Sequence, residues 1–231
     1  MSIQAALSEV LGRIEAAARA AGREPQSVRL IAVSKTQPAE AVREAYAAGQ
    51  RDFGENYVQE LVQKAEALRD LPDLRWHLIG HLQRNKAKQV AGLVSMLHTV
   101  DSVELGRELA KRRAAAGLHE PLPVLVEVSI AGEEQKHGVA PSQLGELLDG
   151  LAAQPELRLR GLMCVPPFTA DPAQARPHFD ALLRLRDQHG GAQRLPELSM
   201  GMTHDLEHAV AAGATLVRVG TAIFGARAPK P

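Results

Sequence analysis

Short runs of β-branched and other apolar residues recur along the chain, separated by longer segments whose apolar positions return every three to four residues. The first pattern is that of a strand covered on both faces, the second that of a helix with one apolar stripe. Strand candidates are 28–33, 52–54, 76–80, 96–100, 124–129, 159–164, 197–200 and 216–220. A helical pattern over residues 2–21 precedes the first, while only a few residues, ending in Pro229-Lys230-Pro231, follow the last. The N-terminal helix is therefore expected to fill the place of a missing eighth one. Strands and helices alternating in this way predict an α/β fold, a single TIM-type (β/α)8 barrel with an additional N-terminal helix, forming one domain over residues 1–231. A doubly wound open sheet is the alternative, but no strand candidate is followed by a G-x-G-x-x-G turn.

Composition narrows the function classes. The 231 residues are 45% hydrophobic and 23% charged, as in ordinary globular proteins. Lys plus Arg equals Asp plus Glu at 27 each, so no overall field favours nucleic acid or an anionic membrane. The basic turn of Arg84, Lys86 and Lys88 reads as a solvated face. A lone cysteine, Cys164, excludes an internal disulfide and a Cys-based zinc site, and suits a reducing compartment, the cytoplasm by default. The N-terminus lacks the apolar region of a secretory signal, and no apolar run is long enough to span a bilayer.

In such a barrel the chemistry gathers where strands end. Lys35 closes the run Leu30-Ile31-Ala32-Val33-Ser34, where desolvation would free its amine as a nucleophile toward a carbonyl; a solvated lysine is the competing reading. Asn56, in Asp52-Phe53-Gly54-Glu55-Asn56-Tyr57, is either a polar ligand neighbour or a helix N-cap. His77 and His81 straddle a strand end, so their spacing is no helical metal face; His81 suits the mouth and His77 the interior. Ser199 and Gly201 after the seventh run, and Gly220 and Thr221 after the eighth, supply hydroxyls and close backbone approach at the two loops that commonly bind phosphate in barrels; tight turns alone would also need the glycines. Arg218 lies inside an apolar strand and requires a fixed partner, either a ring nitrogen or an internal carboxylate. Glu127, Met163 and Cys164 read as barrel lining, the thiol inert.

Taken together, Ala32-Val33-Ser34-Lys35-Thr36, Phe53-Gly54-Glu55-Asn56-Tyr57, Trp76 to Gln83, Leu198-Ser199-Met200-Gly201-Met202 and Val217 to Gly225 resemble the pyridoxal-phosphate homeostasis proteins of the YggS/PROSC type, related to the N-terminal barrel of alanine racemase. The resemblance implies pyridoxal 5′-phosphate as cofactor and an internal aldimine on Lys35. It sets Arg218 at the pyridine nitrogen, Ser199, Gly220 and Thr221 at the phosphate, and Asn56 and His81 on the ring side. It further implies binding, buffering or delivery of the cofactor to apo-enzymes without robust turnover. A PLP-dependent amino-acid racemase is the alternative, and a Schiff-base aldolase a third reading. Racemisation needs a second acid or base opposite the lysine, and neither Tyr46 nor Tyr57 is obviously placed to serve. A chain ending soon after Gly225 is expected to lack the racemase's second domain and to be compatible with a monomer.

Overall fold

The computed structural model describes residues 2–132 and 137–225. Its strands are β1 (Arg29–Val33), β2 (Asp52–Glu55), β3 (Arg75–Leu78), β4 (Met96–Val100), β5 (Leu122–Glu127), β6 (Leu157–Met163), β7 (Glu197–Ser199) and β8 (Leu216–Val219). All pair in parallel and in sequence order, and β8 returns to β1 to close the barrel. The eight expected strands are present, with ends displaced by one or two residues. β3 stops at Leu78 rather than at Gly80, where the chain crosses Asn56 so closely that a Cβ on Gly80 would lie 2.3 Å from the Asn56 carbonyl oxygen.

The helices are α1 (Ile3–Ala20), α2 (Ala39–Ala47), α3 (Val58–Ala67), α4 (Ala87–Val90), α5 (Val103–Ala115), α6 (Leu144–Ala152), α7 (Arg176–Gln188), α8 (Gly191–Arg194), α9 (Leu206–Ala211) and α10 (Thr221–Phe224). Ser2 caps α1, its hydroxyl accepting from the Ala5 amide at 3.2 Å. α1 packs against α9 and the single turn α10, covering the gap expected where the last helix is short. Arg13 of α1 pairs with Glu207 at 2.8 Å and donates to the Thr203 carbonyl at 3.0 Å, bracing the loop after β7. Among the described residues no helix is long and apolar enough to cross a membrane.

Strand alternation sorts side chains onto two faces. Leu30, Ala32, Phe53, Trp76, Leu97, Val124, Val126, Leu198 and Val217 join the main core under the helices. Ile31, Met96, Leu125, Met163 and Leu216 form a small separate cluster inside the barrel. That cluster leaves room for polar inward residues, so the barrel interior departs from the all-aliphatic layers usual in this architecture. Gly161 marks the tightest strand contact: a Cβ there would sit 1.8 Å from the Glu197 carbonyl oxygen. Gly161→Ala is expected to cost about 3 kcal/mol by forcing β6 from β7, read as a lowered denaturation midpoint with an unchanged m-value.

Candidate functional site

The inward parity of Ile31 and Val33 carries on to Lys35, which stands half-buried just past β1. Its setting is rigid. Ser34 before it is fully buried, its hydroxyl 2.7 Å from Glu55 Oε1 and its carbonyl accepting from Lys64 Nζ at 2.6 Å. Lys64 in turn reaches Glu55 Oε1 at 2.6 Å, so β1, β2 and α3 are tied together by one buried ion pair. Thr36 after it has φ of 64°, a left-handed conformation that a β-branched residue rarely adopts. Its amide donates to Glu60 Oε2 at 2.8 Å, which holds the strained turn.

Arg218 lies beside Ile31 in the β1/β8 register and is buried. Its Nη1 donates to Ser199 Oγ at 2.7 Å and its Nη2 to the Cys164 carbonyl at 2.9 Å. Among the described residues no carboxylate forms an ion pair with it, so the internal acid partner weighed from the sequence is not there. Burial pushes the guanidinium below its ordinary pKa.

Behind Arg218 a hydrogen-bonded chain crosses the barrel interior. Ser199 Oγ lies 2.9 Å from His98 Nδ1, His98 Nε2 lies 3.0 Å from His77 Nδ1, and His77 Nε2 lies 2.9 Å from Asp52 Oδ1. Arg75 closes the far end on Asp52 at 2.7 Å. Burial opposes ionisation of Asp52, but its bonds from Arg75 and His77 outweigh burial and hold its carboxyl well below the usual range. Burial lowers His77 in spite of Asp52, and lowers His98 further with His77 and Arg218 nearby. With both imidazoles neutral, one set of tautomers satisfies every link: His77 donates to Asp52, His98 to His77 and Ser199 to His98, leaving the serine oxygen to accept from Arg218.

A cavity of about 290 Å³ brings Lys35, Asn56, Arg218, Gly220 and Thr221 together with the loop after β7, represented by Met202 and Thr203. Gly220 is required for close approach, since a Cβ would meet the Val33 carbonyl at 3.0 Å. Phe168, 84% exposed, stands at the rim against His204 with ring centroids 5.6 Å apart. Ser199 and Gly201 are not in this lining. Ser199 is buried one layer deeper, engaged by Arg218 and His98. Gly201 has φ of 90° and lies where a Cβ would meet Ala209 Cβ at 2.4 Å, so it serves the turn itself.

Asn56 faces the cavity rather than capping α3, whose N-cap is Tyr57 without a side-chain bond. His81 lines an adjoining cavity of about 300 Å³. There it approaches Asp101 at 3.2 Å and stacks on His137 with centroids 3.7 Å apart. His77 is the satisfied interior histidine expected of it. Cys164 is buried and its thiol is pushed up to about 12, as an inert thiol should be. The residues that sequence reasoning passed over are Glu55, Lys64, Glu60, Asp52 and His98. Strand parity was the one signal for Asp52, Glu55 and His98, and Glu60 and Lys64 stand on α3, where their helical positions gave no sign of the β1 turn they hold.

A β/α barrel with a lysine leaving the first strand and an arginine from the last in one cavity belongs to the alanine racemase class of barrels, and the family model described as alanine racemase, N-terminal domain, matches residues 7–228. Pyridoxal phosphate homeostasis protein of Pseudomonas aeruginosa is 49% identical over 222 residues, covering 96% of this chain and 94% of that protein. The structure of PipY from Synechococcus elongatus with PLP bound superposes with a TM-score of 0.81 at 39% identity, over 97% of this chain and all of that one. Alanine racemase from Corynebacterium glutamicum shares the fold at 17% identity and a TM-score of 0.68, over 95% of this chain and 62% of its own. The chain belongs to the pyridoxal phosphate homeostasis protein family.

Proposed function

We propose that the chain binds pyridoxal 5′-phosphate through Lys35 and acts in cytoplasmic cofactor homeostasis, holding and delivering the cofactor to PLP-dependent apo-enzymes without robust turnover of its own. The observation that carries this reading is Arg218: a buried guanidinium with only neutral partners, opening on the cavity that holds Lys35. With no carboxylate paired to it among the described residues, the guanidinium is able to donate to an uncharged ring nitrogen that enters the cavity. The donor set fits the rest of the cofactor, with an amine for its aldehyde, and the Gly220 cradle with the Thr203 and Thr221 residues for its phosphate. Bound there, the cofactor supplies a carbonyl that forms a Schiff base with a primary amine.

Each residue has a distinct part. The Ser34, Glu55 and Lys64 network with the strained Thr36 turn fixes where the Lys35 amine emerges. Ser199 holds Arg218 in place, a role deeper than the phosphate contact its sequence position implied. Gly201 shapes the loop after β7, Asn56 lies on the ring side, and His81 stands one cavity away. A carrier role is favoured over racemisation by the wall facing Lys35. Among the described residues neither tyrosine lines the cavity, Tyr46 being engaged by Asp73 and Tyr57 lying on the surface.

The test is transfer of bound cofactor to an apo-enzyme, measured beside an amino-acid racemase assay. Delivery without sustained racemisation is expected, and inversion of an amino acid at enzymic rates overturns the carrier reading. Arg218→Leu is expected to shift the cofactor's absorption band and weaken binding about tenfold, as loss of a bond to a charged donor should. An unchanged spectrum removes Arg218 from the ring.

A further inference from the structure

The second cavity holds a half-buried acid, Glu127, that the proposed function leaves unused. Glu127 ends β5 on its inward face, and its backbone is pinned on both sides, by pairing with Met163 of β6 and by its carbonyl accepting from the Val139 amide at 2.8 Å. The carboxylate cannot swing out with a loose strand end. Its Oε2 is buried and has no hydrogen-bond partner among the described residues, and the same holds for Oδ1 of Asn56. Both residues line the 300 Å³ cavity, which shares Asn56, Ile79 and Val165 with the cavity of Lys35. Two buried acceptors without donors, in a space large enough for a small molecule, select a ligand that brings N–H groups.

We infer that this cavity is an amine subsite, taking the ammonium group of a small primary amine on Glu127 and Asn56 and setting it against the wall shared with Lys35. Binding of the amine stands on the unpartnered oxygens of Glu127 and Asn56; its use, as the incoming amine that takes the cofactor's carbonyl carbon from Lys35, rests on the function proposed above. That exchange balances: the incoming nitrogen forms the new C=N bond, the bond to the Lys35 nitrogen breaks, and the two protons that the incoming ammonium gives up on becoming an iminium nitrogen pass to the Lys35 nitrogen, which leaves as an ammonium. Glu127 lines this cavity beside the shared wall of Asn56, Ile79 and Val165, where its carboxylate can take up and pass on those protons one at a time. Burial pushes its carboxyl up to about 7, with Arg218 pulling it down and Asp101 pushing it up. His81 and His137 complete the titratable groups of this cavity among the described residues. Since an alkylammonium stays charged through this range, its binding is expected to tighten as pH rises from 6 to 8 and Glu127 ionises.

The experiment titrates the cofactor-free protein with ethylamine, and with propionate as an anionic control, while NMR follows the side-chain amide of Asn56 and the labelled carboxyl of Glu127. Saturable shifts with ethylamine and none with propionate are expected. Glu127→Gln should raise the half-saturating ethylamine concentration at least tenfold, and Glu127→Asp less. Equal half-saturation in Glu127→Gln, or uptake of propionate instead, overturns the subsite. The same titration on cofactor-loaded protein, followed by absorbance, reads the exchange. Absence of any cofactor band there defeats the proposed function, while the cofactor-free titration still decides the subsite.

Discussion

Lys35→Ala protein is expected to lose the covalent hold on pyridoxal phosphate entirely, while keeping the fold. The parent should take up the cofactor with an aldimine absorption band, and borohydride should fix one cofactor mass to the peptide carrying Lys35. In the variant the band should be absent and no mass fixed, because the amine that attacks the carbonyl is gone. The remaining contacts, from Arg218 and the loops after β7 and β8, should hold the cofactor only reversibly. An affinity at least about a hundredfold weaker, or about 2.8 kcal/mol, is the expected size. Lys35→Arg separates charge from nucleophilicity: it keeps a cation at the mouth yet should behave as Lys35→Ala does. Since Lys35 is half-buried at a strand end, neither change should move Tm by more than a degree or two. An undiminished band in Lys35→Ala, with the reduced adduct mapped elsewhere, sinks the assignment.

That Lys35 could be picked out from the sequence, while the residues steadying it could not, has a physical reason. Parity along one strand is local: a run from Leu30 to Ser34 followed by a lysine shows where the side chain leaves the barrel. Glycines before the last two short helices are equally local, and the cavity includes Gly220 and Thr221 as that pattern implied. The interior chain from Arg218 to Asp52 is different, because its links join β8 to β7, β7 to β4, β4 to β3 and β3 to β2. Closure of the barrel makes these residues neighbours, and no spacing in the sequence encodes that closure. The side-chain partners of Ser199 are hidden from the sequence for the same reason. Its position after an apolar run was legible, whereas the inward side of β7 was occupied by partners 19 and 101 residues away. Glu127 was read as lining and does line the interior, but its missing partner is visible only once the neighbouring strands are in place.

Lys64→Met is expected to destabilise the protein more than any other single change considered, and to do so in a pH-dependent way. Glu55 is fully buried and Lys64 nearly so, with their charged atoms 2.6 Å apart. Removing the cation leaves the carboxylate without its counterion in the space between β2 and α3, a loss of about 3–5 kcal/mol. At about 2–4 °C per kcal/mol for a domain of this size, Tm should fall by roughly ten degrees. The sign of the pH effect follows from the acid that remains. Burial already raises the Glu55 carboxyl despite Lys64 and Ser34, and without Lys64 it should rise further. In acid the group is then neutral and tolerated, and the penalty grows as pH climbs through its raised pKa. The gap between parent and variant should therefore narrow toward pH 5 and widen toward pH 8. Pairing Lys64→Met with Glu55→Gln should recover most of the stability, because no buried charge is left uncompensated. Cofactor affinity should not recover with it. The Ser34 carbonyl still lacks the ammonium that held it at 2.6 Å, so the turn that aims Lys35 remains loose. A double variant restored in Tm but weak in cofactor binding identifies the buried pair as a brace for Lys35. A Tm unaltered in Lys64→Met overturns the account of the pair.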